Sequence, residues 1–404
     1  MTKFRVSVDT RDEDTLFTHK KISLGSKTIE TPIKSLSIGK SRQSKEVLSE
    51  DARGFNEIYF QADSERLEEA RQEFKSGLKS KIRSALKKTN RNEEFVVVFC
   101  EFNSVEEFSR EHLEYLADLL YSTSDFLAVP LMPAILEAIK DDKRGTASIY
   151  FDWYLNNVRN FIRVAREWND KPLMGTIPSL PRAFTDKIIE EYINEGLRAF
   201  CFNFNGRTVT AESQLTDMVA PLMRNITVQN MEEDVFLYSL NAHRGRSTQE
   251  GDYIPARDFM SFGFGLDVLG DKHTGGSLPP HLFEKLEDSD PTFRLFERDD
   301  YIYRNYEYGP ELESRLPDDS GLSKSRIMSR PSDNYRLATL LNGEQQAKEA
   351  NSLRTVIDEN RVSDHVAVKE GVGDDELQSM KDTKENFEGN QAQTSLSNLD
   401  NMLG

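Results

Sequence analysis

Nine polar side chains follow closely on apolar runs of this sequence, and their types are those that carry chemistry. They are Glu101, Asn203, Asn205, Arg207, Asn241, His243, Arg244, Asp267 and Asp271. A carboxylate can act as a nucleophile or carry a proton, an amide both donates and accepts hydrogen bonds, and an arginine binds a phosphate through two parallel N–H groups. The set therefore predicts paired carboxylates, amide groups and phosphate-binding cations in one site.

The asparagines of the run RAFCFNFNG suggest how such a site is built. Asn203 and Asn205 alternate with Phe202 and Phe204, so in a strand both amides point to one face. A core pair of hydrogen-bonded asparagines is the structural alternative to a role in recognition.

The stretch SFGFGLDVLGDKHTGG (261–276) combines glycines with Asp267, Asp271 and His273. Its glycines lack the spacing of a P-loop. We interpret it as the end of a short helix followed by a strand over 266–269, after which Asp267 or Asp271 reaches the site. A turn that holds a small phosphorylated substrate at 265–276 is the alternative.

Apolar strand-like runs alternate with amphipathic helical stretches and would position these side chains. The runs lie at 31–39, 57–62, 95–102, 125–133, 171–181, 197–206, 234–245 and 266–269. Continuous apolar strands separated by helices are typical of a parallel sheet covered on both faces. Eight runs over about 250 residues favour a (β/α)8 TIM barrel over an open doubly wound sheet. In a barrel, reacting groups lie at the carboxyl ends of the strands.

Composition sets the limits of this prediction. The chain has 404 residues and a formal net charge of -17, and its acidity opposes nucleic-acid binding only weakly, because a local basic face acts within about 10 Å. Cys100 and Cys201 each lie in an apolar run, which predicts buried, reduced thiols and a cytoplasmic protein. No apolar stretch spans a bilayer and no leader is expected.

Two segments differ in character from the rest. The segment 74–91 predicts a helix with Leu78, Ile82 and Leu86 on one face and a basic exterior, which is either solvated or binds a phosphate backbone. Beyond 310 the chain is polar, so we predict a barrel domain over 1–310 and a largely disordered extension over 311–404.

Several segments follow the order of a known family. A Gly…Glu-Thr-Pro sequence leads into the first strand (25–40), a long helix leads into the fifth (150–179), and an apolar, proline-containing helix follows the sixth (191–223). DVFLYSLNA and FGFGLDVLGD stand where the last two strands should be. Over about 230 residues the chain resembles the tRNA-guanine transglycosylase superfamily, TIM barrels that exchange guanine in tRNA or DNA for a 7-deazaguanine.

The chain departs from that family at its chemical signatures. Pro130 and Leu131 stand where the family carries a fourth-strand aspartate, 177–179 replaces a glutamine–glycine pair, and 203–205 replaces a glycine pair. The cysteine-rich zinc site is absent. The chain is therefore either a remote branch with rearranged catalytic groups or a barrel that has lost the chemistry.

The resemblance implies a pentosyltransferase of the base-exchange type. The two widely separated cysteines and the scattered histidines predict no metal site, and no cofactor is expected. Glu101 and Asp267 would be the catalytic carboxylates. The substrate-binding residues would be Asn203 and Asn205 for the base, Arg207 and Arg244 for phosphates, and Asn241 and His243 beside them.

The expected partners are a nucleic acid, tRNA or DNA, and a deazaguanine-type base, without a membrane; a homodimer is possible. The alternatives are a catalytically inactive barrel that binds nucleic acid or a protein partner, and an unrelated barrel enzyme with a small phosphorylated substrate.

Overall fold

The computed structural model describes most of the chain. It covers residues 4–41, 48–72, 77–141, 145–168, 170–247, 252–274 and 290–403, with side chains as far as residue 389 except that of Trp168. Gly275 and Gly276 of the glycine-rich stretch and Lys75 of the basic segment lie outside the described residues.

The strands of the described residues form two parallel and two antiparallel sheets. In chain order they are β1 (Phe4–Arg11), β2 (Thr18–Leu24), β3 (Lys27–Thr31), β4 (Ile33–Lys34), β5 (Leu36–Ser37), β6 (Phe55–Ala62), β7 (Phe95–Phe102), β8 (Leu127–Ala128), β9 (Leu173–Pro178), β10 (Ala199–Asn203), β11 (Phe236–Leu240), β12 (Tyr253–Pro255), β13 (Val268–Leu269), β14 (Thr292–Glu297) and β15 (Ile302–Glu307).

The α-helices stand mostly between the parallel strands. They are α1 (Ser64–Gln72), α2 (Gly77–Leu86), α3 (Arg110–Thr123), α4 (Pro133–Lys140), α5 (Ala147–Trp168), α6 (Arg182–Asn194), α7 (Glu212–Gln214), α8 (Ala220–Val228), α9 (Pro310–Arg315), α10 (Lys324–Met328), α11 (Asn334–Asp358), α12 (Val362–Ala367) and α13 (Asp374–Leu403). A π-helical turn joins α7 to α8, and a 3-10 helix spans Phe259–Phe264. No helix among the described residues is both long enough and apolar enough to cross a membrane.

The parallel strands form the centre of the molecule. One sheet has six strands in the order β4-β13-β11-β10-β9-β8, and a second has three in the order β5-β6-β7. Every residue of β7 and of β10 is buried, as expected for apolar strands covered on both faces. The prediction of a mixed α/β fold with parallel strands is confirmed.

The two parallel sheets adjoin each other at both ends. Only Ser35 separates β4 from β5, so one run of chain pairs with both β13 and β6. On the other side, Leu131 bridges to Glu101 of β7, and its amide donates to the carbonyl of Cys100 at 2.8 Å. Phe126 bridges in the same way to Val97.

A distinct cluster of buried side chains, which we call the inner cluster, lies among these strands. Its members include Ile33, Phe55, Val97, Phe126, Met174, Cys201, Tyr238 and Val268. The antiparallel hairpins β1–β3 add Ile22, Leu24 and Ile29. The cluster thus takes alternate residues from strands of both parallel sheets, and the face that these residues share extends toward the carboxyl ends of the strands.

The prediction of a disordered extension over 311–404 is wrong for the described part of that region. Helix α11 is buried along most of its length and packs against β4, β5 and β14. Glu344 of this helix is fully buried and accepts hydrogen bonds from the amides of Ser49 and Gly321. A polar composition therefore did not indicate exposure here, and a boundary at 310 would separate α11 from the strands that it covers.

The basic segment behaves as its spacing predicts. In α2, Leu78, Ile82 and Leu86 are buried, whereas Lys81 and Arg83 are exposed. The two cysteines are buried free thiols, as predicted.

Candidate functional site

The carboxyl ends of β6, β7, β10, β11 and β13 bring polar side chains together at what we call the mouth. On β6, Glu57, Tyr59 and Gln61 alternate with Ile58 and Phe60 and so share a face. Phe55, two residues before Glu57, belongs to the inner cluster, so this face points inward. Strand β6 therefore supplies three polar groups to the mouth.

Glu101, at the end of β7, lies at the mouth as predicted. Its Oε2 accepts a short hydrogen bond from the Tyr59 hydroxyl, and its Oε1 accepts one from Gln61 Nε2 at 2.8 Å. Burial raises the pKa of Tyr59 far above its usual range, and the bond to Glu101 and the charge of that carboxylate raise it further. The phenol therefore stays protonated and remains a donor. Tyr59 and Gln61 together hold the two oxygens of the Glu101 carboxylate.

Glu57 is a second carboxylate at the mouth, which the sequence analysis missed. It is fully buried, and its oxygens accept hydrogen bonds from the Tyr238 hydroxyl, from the Asp271 amide at 2.9 Å and from His273 Nε2 at 2.6 Å. A buried carboxylate needs such donors because it has lost its hydration. The close approach also explains Gly270, where an added Cβ would lie 2.8 Å from Glu57 Oε2.

His273 connects the two carboxylates. Its ring stacks on the Tyr59 ring, with centroids 4.3 Å apart and an angle of 8° between the planes. Because Nε2 faces Glu57, the imidazole is oriented by a carboxylate, and Nδ1 has no hydrogen-bond partner among the residues that the structure describes. An imidazole held in this way can carry a proton at Nδ1 while the carboxylate stabilises its charged form.

The asparagines hold the loop that carries His273. Asn241 Nδ2 donates to Asn203 Oδ1 at 2.9 Å, and Asn241 Oδ1 accepts from the amides of His273 at 2.7 Å and Thr274 at 3.2 Å. The expectation that Asn203 and Asn205 share a face is wrong, because β10 ends at Asn203 and Asn205 is an exposed residue with φ of 48°. Asn203 alone stays at the mouth.

Asp271 forms an ion pair beside this cluster. Lys34 Nζ lies 2.5 Å from Asp271 Oδ1, and Lys40 Nζ lies 3.8 Å from Oδ2. Burial alone would raise the pKa of Asp271, but the charges of Lys34, Lys40 and His273 outweigh it and hold that pKa well below its usual range. Asp271 is thus a carboxylate that is already paired.

Asp267 lies at the opposite end of the strands, which corrects the predicted catalytic role. It precedes β13, and its Oδ2 accepts from the Leu237 amide near the start of β11 at 2.8 Å. Lys20 of β2 places its Nζ 3.0 Å from the Asp267 carboxylate, and both side chains are buried. The predicted pairing of Asp267 with Glu101 across the mouth therefore does not occur.

The predicted phosphate-binding residues belong to a larger group of cations near the mouth. This cationic rim comprises Arg207, Arg244, Arg246, Lys272 and Arg294, and His243 lies beside it. Arg207 donates to Ser179 Oγ at 3.3 Å, and Arg244 lies over the ring of Tyr303 at 5.1 Å. Within the described residues, no member of the rim has a carboxylate partner within 4.0 Å. A chain with a net charge of -17 thus gathers unneutralised positive charge here.

The positive charge of the rim affects the pKa of His243. Burial lowers the pKa of His243 to about 4, with further lowering by Lys272, Arg244, Arg246 and Arg294. We expect Arg244→Gln to raise the pKa of His243, because removing a nearby positive charge favours the imidazolium. Titration of the His243 ring protons by NMR measures this. Arg224→Gln, at an arginine paired with Asp186, is the control and should leave that pKa unchanged.

Neither a metal-binding cluster among the described residues nor a sequence relative indicates what the site does. Among the described residues, no group of three His, Cys, Asp or Glu side chains could hold a metal ion. Comparison of the sequence with protein-family models and with curated proteins found no match.

Proposed function

We propose that this protein is a transferase that exchanges guanine in a nucleic acid, tRNA or DNA, for a 7-deazaguanine base. The observation that carries the proposal is the pair of groups at the mouth: the Glu101 carboxylate, and the His273 imidazole oriented by Glu57. Both contact Tyr59, one at its hydroxyl and one at its ring. A reaction at a glycosidic carbon needs such a nucleophile and such a proton carrier within reach of one substrate.

The fold proposed for this function is a closed (β/α)8 barrel. Three features support closure: the run 33–37 pairs with both β13 and β6, the segment 126–131 bridges to β7, and the inner cluster draws on both parallel sheets. In such a barrel the interior is filled by side chains from the strands, and the reacting groups lie at the carboxyl ends. Helix α11, which packs on β4 and β5, would be its last outer helix.

The proposed reaction has two displacement steps. Glu101 attacks C1′ as the bond from C1′ to the glycosidic nitrogen breaks, and His273 gives the proton on Nδ1 to the departing guanine. The incoming base then returns a proton to His273 and attacks C1′, which releases the Glu101 carboxylate. Glu57 stabilises the imidazolium whenever His273 is protonated, and Tyr59 and Gln61 hold Glu101 in place.

Substrate binding is assigned to the remaining groups. Asn203 lies at the mouth, and the hydrogen bonds that it makes with described residues all involve its Oδ1, so its Nδ2 can donate to a base edge. The cationic rim would bind phosphates of the strand, with Arg207 and Arg244 suited to two-point contacts. The target base must leave its stack to reach the mouth.

Incorporation of labelled guanine into nucleic acid tests the proposal. Purified protein is incubated with labelled guanine and with either unmodified tRNA or DNA, and label retained in each polymer is counted. Label in one polymer supports the function and identifies the substrate. Binding of both polymers without incorporation would instead favour a catalytically inactive binding protein.

We expect His273→Gln to lower exchange about 100-fold, because the departing base then leaves without a proton. Single-turnover rates of exchange in the wild type and in this variant check the size of the loss. His112→Gln, at a histidine of α3 whose Nε2 lies 3.3 Å from Glu68 of α1, is the control; an equal loss in the two variants would exclude a specific role for His273.

A further inference from the structure

A cleft of about 680 Å³ opens beside His273, between β6 and α2. It shares Glu57, Tyr59 and His273 with the mouth, so it is continuous with the proposed reaction centre. Its volume is that of a site for a small organic molecule.

The charged lining of the cleft is almost entirely positive. Lys40, Arg66, Lys81 and Lys88 come from three segments of the chain, whereas Glu57 is the sole carboxylate of the described lining. Glu57 is fully buried and already bonded to Tyr238, His273 and a backbone amide. The cleft therefore favours an anion, although the chain as a whole is acidic.

Two of the four cations are uncommitted in the described part of the chain. Lys40 lies 3.8 Å from Asp271, and Lys88 donates to the carbonyl of Ser41. Arg66 on α1 and Lys81 on α2 are exposed and have no carboxylate within 4.0 Å among the described residues. They are placed to contact a bound anionic group from two helices.

The wall of the cleft is mainly apolar. Ile58 and Phe60 of β6 and Leu78, Ile82 and Ala85 of α2 give it an apolar surface, and Ser37, Gln61 and Ser84 add polar groups. A simple inorganic anion would use only the cations. An apolar wall with a few polar groups suits a flat heterocycle attached to the anion.

We infer that this cleft binds a nucleotide, with its phosphate among Lys40, Arg66 and Lys81 and its base against the wall formed by Ile58, Ile82 and Ala85. The inference rests on the proposed function, because the adjoining mouth is assigned to a reaction at a nucleoside. The nucleotide is either free or the neighbour of the target base within a strand; the chemistry recognised is the same.

Lys81→Glu tests the inference, with Arg83→Glu as its matched control. Both residues are exposed basic residues of α2, both changes reverse one charge, and only Lys81 lines the cleft. The probes are guanosine 5′-monophosphate and a short single-stranded oligonucleotide, titrated against the full chain. We expect Lys81→Glu to weaken binding about tenfold or more and Arg83→Glu to change it less than about twofold.

The two probes separate the two sources of the nucleotide. A selective effect on the monophosphate supports a free nucleotide, and a selective effect on the oligonucleotide alone supports a neighbour in the strand. Arg66→Glu on α1 should reproduce the loss, which shows that it does not arise from damage to α2; melting curves verify folding. Equal effects of Lys81→Glu and Arg83→Glu on both probes, or no binding of either, would overturn the inference.

These outcomes differ from a failure of the proposed function. Binding needs no reaction and can be measured in a Glu101→Gln background. Selective nucleotide binding without any base exchange would refute only the proposed function, whereas exchange that is equally sensitive to Lys81→Glu and Arg83→Glu would refute only the nucleotide cleft.

Discussion

Glu101→Gln should lower base exchange by about 10³-fold or more while the protein stays folded. The substitution keeps the size of the side chain, and its one remaining oxygen can still accept the hydrogen bond from Tyr59, while the bond from Gln61 is lost. What is lost is the negative charge that attacks C1′, and removing a nucleophile usually removes most of the catalysed rate. Single-turnover incorporation of labelled guanine gives the size of the loss.

The matched control for this variant is Glu107→Gln. Glu107 lies six residues further along the chain, is exposed and accepts a hydrogen bond from Asn156 at 3.1 Å. It should exchange base at the wild-type rate. If Glu101→Gln retained more than about a tenth of the wild-type rate with unchanged binding, Glu101 would not be the nucleophile.

Asp267→Asn should lower the free energy of unfolding by about 3–5 kcal/mol and leave the exchange rate of the folded protein unchanged. The Asp267 carboxylate pairs with Lys20 at 3.0 Å in a buried position, so the neutral amide would leave the Lys20 charge without a partner. Burial raises the pKa of Asp267, and Lys20 opposes that rise. Denaturant titrations of wild type and variant measure the difference.

An exposed ion pair in the same hairpin provides the control for Asp267→Asn. Asp9 and Lys21 lie 3.3 Å apart with side chains that are 37% and 44% exposed. Asp9→Asn should cost less than about 1 kcal/mol, because solvent already screens this pair. Loss of exchange by a fully stable Asp267→Asn protein would contradict the structural role and restore the catalytic one.

The position of a residue along its strand explains why Glu101 lies at the mouth and Asp267 does not. Both belong to apolar runs, and both were predicted at the mouth. Glu101 is near the end of the eight-residue β7, so the run itself indicates its place. Strand β13 has only two residues, Val268 and Leu269, and Asp267 precedes it. With so short a strand, an error of a few residues moves a side chain from one end of the sheet to the other.

Glu57 and His273 were missed for a different reason. Glu57 lies in the middle of β6. A charged residue in an apolar run does not by itself indicate that three hydrogen-bond donors contact it in the folded protein. Two of those donors, the Asp271 amide and His273, lie more than 200 residues away in the chain. Alternate residues of a strand share a face, so the sequence 57–62 does indicate that Glu57, Tyr59 and Gln61 lie on the same side.

Apolar periodicity in the sequence predicted the central parallel strands and the helices between them, because it depends on local spacing, but it did not predict the helices beyond residue 310. By itself the sequence also determined the buried face of α2 and the position of Glu101. The tertiary structure alone decided which carboxylates meet, how α11 is buried and where the cations gather. These depend on contacts between segments far apart in sequence, and burial of a charge or an amide is stable only when such distant partners are supplied.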